Sequence, residues 1–129
     1  MQLDEFGGAD SESARYAAPM DGDYTPREVA ELLARGGLQL IDVRQRHEHE
    51  AGRIPGGRLI ELADLPAQAQ SIDRERPVVL YCRSGARSAM ATAALRQAGF
   101  DAHNMGGGML DWHAARLPIE PAGGYVAEP

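Results

Sequence analysis

Apolar positions fall into two rhythms along this chain. Val78-Val79-Leu80-Tyr81 is an unbroken apolar run, the pattern of a central strand covered on both faces. Leu38 to Val43 reads as a second strand, Arg58 to Glu61 as a short third, and Asp101 to Asn104 as a last. Between them the rhythm becomes helical. Val29, Leu32 and Leu33 repeat at i, i+3, i+4 after a capping box, Thr25-Pro26-Arg27-Glu28, and Gly36-Gly37 stops the helix. Residues 46 to 51 suit a short helical turn, and Asp64 is placed to cap a helix from Leu65 to about Gln70. A longer helix is predicted from Ala86 to Ala98. The last one carries Leu110 and Trp112 and ends before Pro118.

Strands that alternate with helices predict an α/β domain around a mostly parallel sheet. Ligand sites in such sheets lie beyond the carboxyl ends of the strands. Two strands deliver polar residues there: one ends near Asp42 and Arg44, the other at Cys82. Residues 1–20 have no apolar period and are rich in Gly, Ser, Ala and acids, so a mobile acidic tail is expected before a domain at 21–118. Residues 119–129, rich in Gly, Pro and Ala, read as a second tail.

Composition narrows the class. With 129 residues, 43% hydrophobic and 25% charged, the chain suits one soluble domain with a core of its own. No apolar stretch nears the roughly 20 residues of a membrane span. The N-terminus lacks a basic-then-apolar signal pattern. A cytoplasmic protein without membrane contact is the expectation. The net charge of −6 is concentrated in residues 1–23, with six acids and one arginine. The remainder, with 13 acids and 12 arginines, shows no basic stripe, so nucleic acid is not an expected partner. Cys82 is the only cysteine, which forbids an internal disulfide and agrees with a reducing compartment.

Candidate chemistry gathers in Cys82-Arg83-Ser84-Gly85-Ala86-Arg87-Ser88. A helix N-terminus offers unpaired N–H groups and positive partial charge, and successive loop amides form an anion-binding nest. A thiol placed there favours its thiolate form. Arg83 and Arg87 add forked cationic donors for oxyanions, although Arg87 could instead pair with Asp42 or Asp64. Gly85 permits a sharp turn. Ser84 and Ser88 offer hydroxyl donors or a helix cap.

The loop resembles the active loop of the rhodanese family, the thiosulfate sulfurtransferase-like single domains. Leu40-Ile41-Asp42-Val43-Arg44, then Glu48, then Gly52-Arg53-Ile54-Pro55-Gly56-Gly57 resembles that family's N-terminal signature. Met105-Gly106-Gly107-Gly108-Met109-Leu110-Asp111-Trp112 resembles its Gly-Gly-x-x-x-Trp signature. The departures are Arg53, where the family most often has His, and His49, where it usually has an aromatic residue.

The resemblance implies a three-layer domain with a five-stranded, mostly parallel sheet and helices on both faces. It implies that Cys82 takes a sulfane sulfur from thiosulfate or a related persulfide and passes it to cyanide, a thiol or a protein acceptor. Residues 83 to 88 (Arg83, Ser84, Gly85, Ala86, Arg87 and Ser88) would bind the donor, with Asp42 and Arg44 in structural roles nearby. No cofactor is called for.

Two other readings compete. Cysteine phosphatases and arsenate reductases resemble Cys-x5-Arg, whereas this chain has Cys-x4-Arg, one amide short of a cradle for a tetrahedral oxyanion. A non-turnover sulfur carrier or partner-binding module is the rival from another class, and the retained cysteine argues for chemistry. A metal site is not expected, because no histidine pair has zinc-ligand spacing with a cysteine. No Lys-Ser/Thr follows the triple glycine, which excludes a Walker loop.

Overall fold

A computed structural model describes residues 22–129. The acidic tail expected at residues 1–20 lies outside the described residues. Among the described residues five strands form one sheet: β1 (Asp23–Tyr24), β2 (Gln39–Asp42), β3 (Arg58–Leu59), β4 (Val78–Tyr81) and β5 (Ala102–Met105). The helices are α1 (Pro26–Arg35), α2 (Arg46–Ala51), α3 (Leu65–Gln68), α4 (Ala86–Gln97) and α5 (Gly108–Ala114). The strand order is β1-β5-β4-β2-β3, and every pairing is parallel.

All five carboxyl ends therefore point to one edge. β4 sits at the centre and is buried along its whole length, as its unbroken apolar run requires. Alternate side chains of the strands feed two cores. On one face Ile41, Val78, Leu80 and Ala102 meet Leu65 of α3 and Ala91 and Leu95 of α4. On the other, Leu40, Val79, Tyr81 and Met105 meet Val29 and Leu32 of α1 and Met109 and Trp112 of α5. This is the three-layer arrangement that the resemblance implies.

Local signals mostly set the element ends. Thr25 caps α1 as expected: its Oγ1 accepts from Glu28 N–H at 3.2 Å, and Glu28 Oε1 accepts from Thr25 N–H at 2.9 Å. Three details differ from the sequence reading. β1 has only two residues, too few for an apolar period to announce it. The segment around α3 is a short α-helix flanked by 3-10 turns at Leu62–Asp64 and Ala69–Ser71, and Asp64 makes no capping bond.

The third difference is at the C-terminus. Residues 119–129 were expected as a tail but run against the domain. Arg53 and Glu120 exchange backbone hydrogen bonds of 2.9 Å each, and Tyr125 N–H donates to the Ala51 carbonyl at 3.0 Å. Ile119 and Val126 pack on the core that holds Trp112. No described helix is long and apolar enough to cross a membrane.

Candidate active site

Cys82 follows directly on β4 and is fully buried. The chain then turns through Gly85, whose φ of 106° is open to glycine and strained for other residues, and enters α4. This turn folds the loop amides over the sulfur. Gly85 N–H donates to Cys82 Sγ at 3.1 Å and Ser88 N–H at 3.4 Å. The Ser88 hydroxyl lies 3.3 Å from both Sγ and the Gly85 carbonyl, and donates to one of them. Several donors thus converge on one sulfur, an arrangement that stabilises negative charge there.

The outward orientation of the loop carbonyls is enforced by the start of α5. Met109 N–H donates to the Cys82 carbonyl at 2.9 Å and Leu110 N–H to the Arg83 carbonyl at 3.0 Å. That approach needs Gly108: with a φ of 57°, a Cβ there would stand 2.5 Å from both carbonyl oxygens. Of the three glycines, Gly108 is the one that this close backbone packing against the loop requires; a Cβ on Gly106 or Gly107 would meet the side chain of Asp23 or Asp111 instead. Asn104 was missed in the sequence. It is buried in β5 and donates Nδ2–H to the Gly85 carbonyl at 3.3 Å. Its signal was a polar residue in a buried strand.

Arg87 pairs with neither Asp42 nor Asp64. Its Nη1 and Nη2 donate to the two oxygens of Glu48, at 2.8 and 2.9 Å, in a bidentate fork. Glu48 sits on α2, is fully buried, and also accepts from Gln45 N–H at 3.1 Å. Burial pushes its carboxyl up, but the bonds from Arg87 and Gln45 outweigh this and hold it below the ordinary value of 4.5. Glu48 lies 39 residues from Arg87 in sequence. It appeared in the sequence only as part of a signature.

The sign of that shift gives a prediction. A carboxyl held low in the folded state contributes its full stabilisation above its unfolded value, and loses it as pH falls through the folded value. Wild-type stability is expected to decline as pH drops below about 4.5. Glu48→Gln should flatten part of that decline. Urea unfolding midpoints between about pH 6 and about pH 3 measure it, and an equally steep decline in the variant would remove Glu48 from the cause.

Asp42 and Arg44 are structural neighbours, both completely buried. Arg44 Nη2 donates to Asp42 Oδ2 at 2.7 Å and to the Gly52 carbonyl at 2.8 Å, and its guanidinium lies 5.5 Å from the Tyr81 ring centroid. His49 Nδ1 stands 2.9 Å from Asp42 Oδ2. This gives His49 a polar role in place of the aromatic residue usual in the resembled pattern. Burial raises the Asp42 carboxyl, but the bonds from His49 and Arg44 outweigh it and hold it low. The same pairing outweighs burial at Arg44 and keeps it charged. Arg53, the other departure, bridges Glu120.

Around the loop mouth, Ser84 and Ala86 are exposed and Arg83 is half-buried. Arg83 Nε donates to the Ala127 carbonyl at 3.1 Å, and its Nη2 lies 3.6 Å from Glu128 Oε2. Of the sequence-predicted residues, Gly85 and Ser88 thus meet the Cys82 sulfur, while Arg83 and Arg87 each carry a partner elsewhere.

The chain is similar to known proteins of one family. The Rhodanese-like domain model matches residues 25–115. A sulfurtransferase of Allochromatium vinosum is 40% identical over 81 residues, covering 62% of this chain and 76% of its own. The thiosulfate sulfurtransferase GlpE of Pseudoalteromonas translucida is 29% identical over 89 residues, covering 68% of this chain and 85% of its own. A crystal structure of a rhodanese-like domain protein from Staphylococcus aureus superposes with a TM-score of 0.68 at 28% identity, covering 82% of this chain and 98% of that one. The first curated relatives that match are longer proteins, of which the chain spans 42% and 31%.

Proposed function

The chain belongs to the rhodanese-like domain family, and from that premise we propose that it is a sulfurtransferase working through a persulfide on Cys82. The observation that carries the reading is the set of N–H and hydroxyl donors aimed at one buried Sγ. Thiosulfate, or a related persulfide, is the donor. The Cys82 thiolate attacks the outer sulfur of thiosulfate, a new S–S bond forms, and the old S–S bond breaks with its electron pair leaving on sulfite. Cys82 then carries a persulfide anion, so two negative charges depart and one remains. Cyanide, a thiol or a protein acceptor attacks the terminal sulfur and regenerates the thiolate. With cyanide the product is thiocyanate. One hard transfer becomes two easier ones.

Each loop residue has a part in this reading. Gly85 and Ser88 hold the charge on sulfur, first on Sγ and then on the persulfide. Arg83 and Arg87 line the approach of an anionic donor, and Ser84 and Ala86 form the exposed rim. Glu48 orients Arg87, while Asp42 and Arg44 fix the β2 end beside the loop. A reducing, cytoplasmic setting suits a single free thiol.

Mass spectrometry after incubation with thiosulfate tests the reading. One added sulfur atom on Cys82, removed by cyanide with release of thiocyanate, is expected. A protein that gains no sulfur from thiosulfate or from a persulfide would exclude transfer. A single turnover without steady thiocyanate production would favour a sulfur carrier instead. The complete burial of Cys82 and the carboxylate partners of both arginines give that second reading its footing.

A further inference from the structure

The two loop arginines are held very differently. Arg87 is clamped by two bonds to Glu48, whose carboxylate is wholly buried. Arg83 faces Glu128, whose side chain is 87% exposed and 3.6 Å away. The first pair is fixed; the second is open to exchange with solvent and solutes.

Glu128 reaches Arg83 because residues 119–128 form a strap over α2. The strap begins at the Arg53–Glu120 backbone bridge and continues through Tyr125 N–H on the Ala51 carbonyl. It then reaches His47, whose Nε2 lies 2.9 Å from the Glu128 carbonyl, and the Arg83 Nε bond to Ala127. The crossing is tight. A Cβ on Gly52 would stand 2.4 Å from the Tyr125 carbonyl oxygen. Gly52 has a φ of −178°, extended backbone that any residue adopts, so glycine there answers to the strap rather than to backbone conformation.

We propose that Glu128 is a specificity-determining residue: it occupies Arg83 from the strap, so a dianionic donor must displace a carboxylate to reach that guanidinium, and donors of lower charge are favoured. The proposal rests on reading Cys82 as the sulfur acceptor. The physical cause is plain electrostatics. Arg83 cannot pair fully with two anions at once, and the Glu128 carboxylate beside it repels an incoming sulfonate. Arg87 does not take over this role, since Glu48 fixes its orientation with two of its donors.

The full chain tests this with two donors, thiosulfate and an alkyl persulfide whose only charge is on sulfur. The rate of sulfur loading onto Cys82 is followed by mass spectrometry over a range of donor concentrations. Glu128→Gln should lower the half-saturating thiosulfate concentration about two- to fivefold, the range for an exposed ion pair, with the maximal rate unchanged. Loading from the alkyl persulfide should stay as in wild type. In an Arg83→Gln background the Glu128→Gln effect should vanish, which locates it in this pair.

Gly52→Ala gives an independent route, by displacing the strap sterically. It should shift donor preference in the same direction and speed hydrogen exchange at Tyr125 N–H. An unchanged thiosulfate-to-persulfide ratio in Glu128→Gln overturns the proposal, as does an equal gain for both donors. Wild-type protein that loads no sulfur from either donor would instead bring down the sulfurtransferase reading itself. Glu128 is exposed enough that its substitution carries no folding risk.

Discussion

Cys82→Ser reduces thiocyanate formation from thiosulfate and cyanide to the uncatalysed background. Serine is close to isosteric and can accept the same hydrogen bonds from Gly85 and Ser88. It cannot supply a thiolate, and no S–S bond can form on oxygen. The loss is therefore chemical, and the fold should survive at a cost of no more than about 2 kcal/mol. Circular dichroism and the thermal midpoint check the second half of the expectation. Undiminished thiocyanate production in a folded variant would mean that Cys82 is not the sulfur-bearing atom.

The largest expected stability effect lies one strand away. Asp42→Ala strands Arg44 in a site that excludes water. Asp42 accepts from Arg44 Nε at 2.9 Å, Nη2 at 2.7 Å and backbone N–H at 3.0 Å. Arg44 Nη1 has no hydrogen-bond partner even with Asp42 in place. Removing one member of a buried pair costs about 3–5 kcal/mol, because a charge is left uncompensated. Total stabilities of about 5–15 kcal/mol make that a large fraction. Replacing both partners, as Asp42→Leu with Arg44→Met, should recover most of the loss. Denaturant midpoints at constant slope measure both. A loss under about 1 kcal/mol for Asp42→Ala would show that water reaches Arg44.

The features that could be read in advance are those fixed by neighbours in sequence. The apolar run of β4, the Thr25 capping box and the Cys82-to-Ser88 loop each carry their cause within a few residues. Gly106 to Gly108 were legible as part of a signature, but that Gly108 lies against the loop carbonyls was not. The rest depended on distant partners. Arg87 had several carboxylates to choose from, and only the placement of α2 after β2 brings Glu48 to it. Asn104 looked like any strand residue until β5 was set beside the loop. The strap read as a tail because its own side of the hydrogen bonds at Glu120, Tyr125 and Ala127 is main chain, which leaves no sequence pattern, and its apolar contacts at Ile119 and Val126 are too sparse to show a period. β1 was too short to register at all.

The grip of α5 on the Cys82 and Arg83 carbonyls has a consequence for how such a domain can diversify. Those bonds aim the peptide planes from outside, so the cup's electropositive floor does not depend on which side chains occupy positions 83, 84 and 86. Those three sites are free to be exchanged by grafting, altering which molecule is admitted while the underlying polarity persists. Transplanting the loop without its glycine buttress should carry over the side chains and forfeit the chemistry.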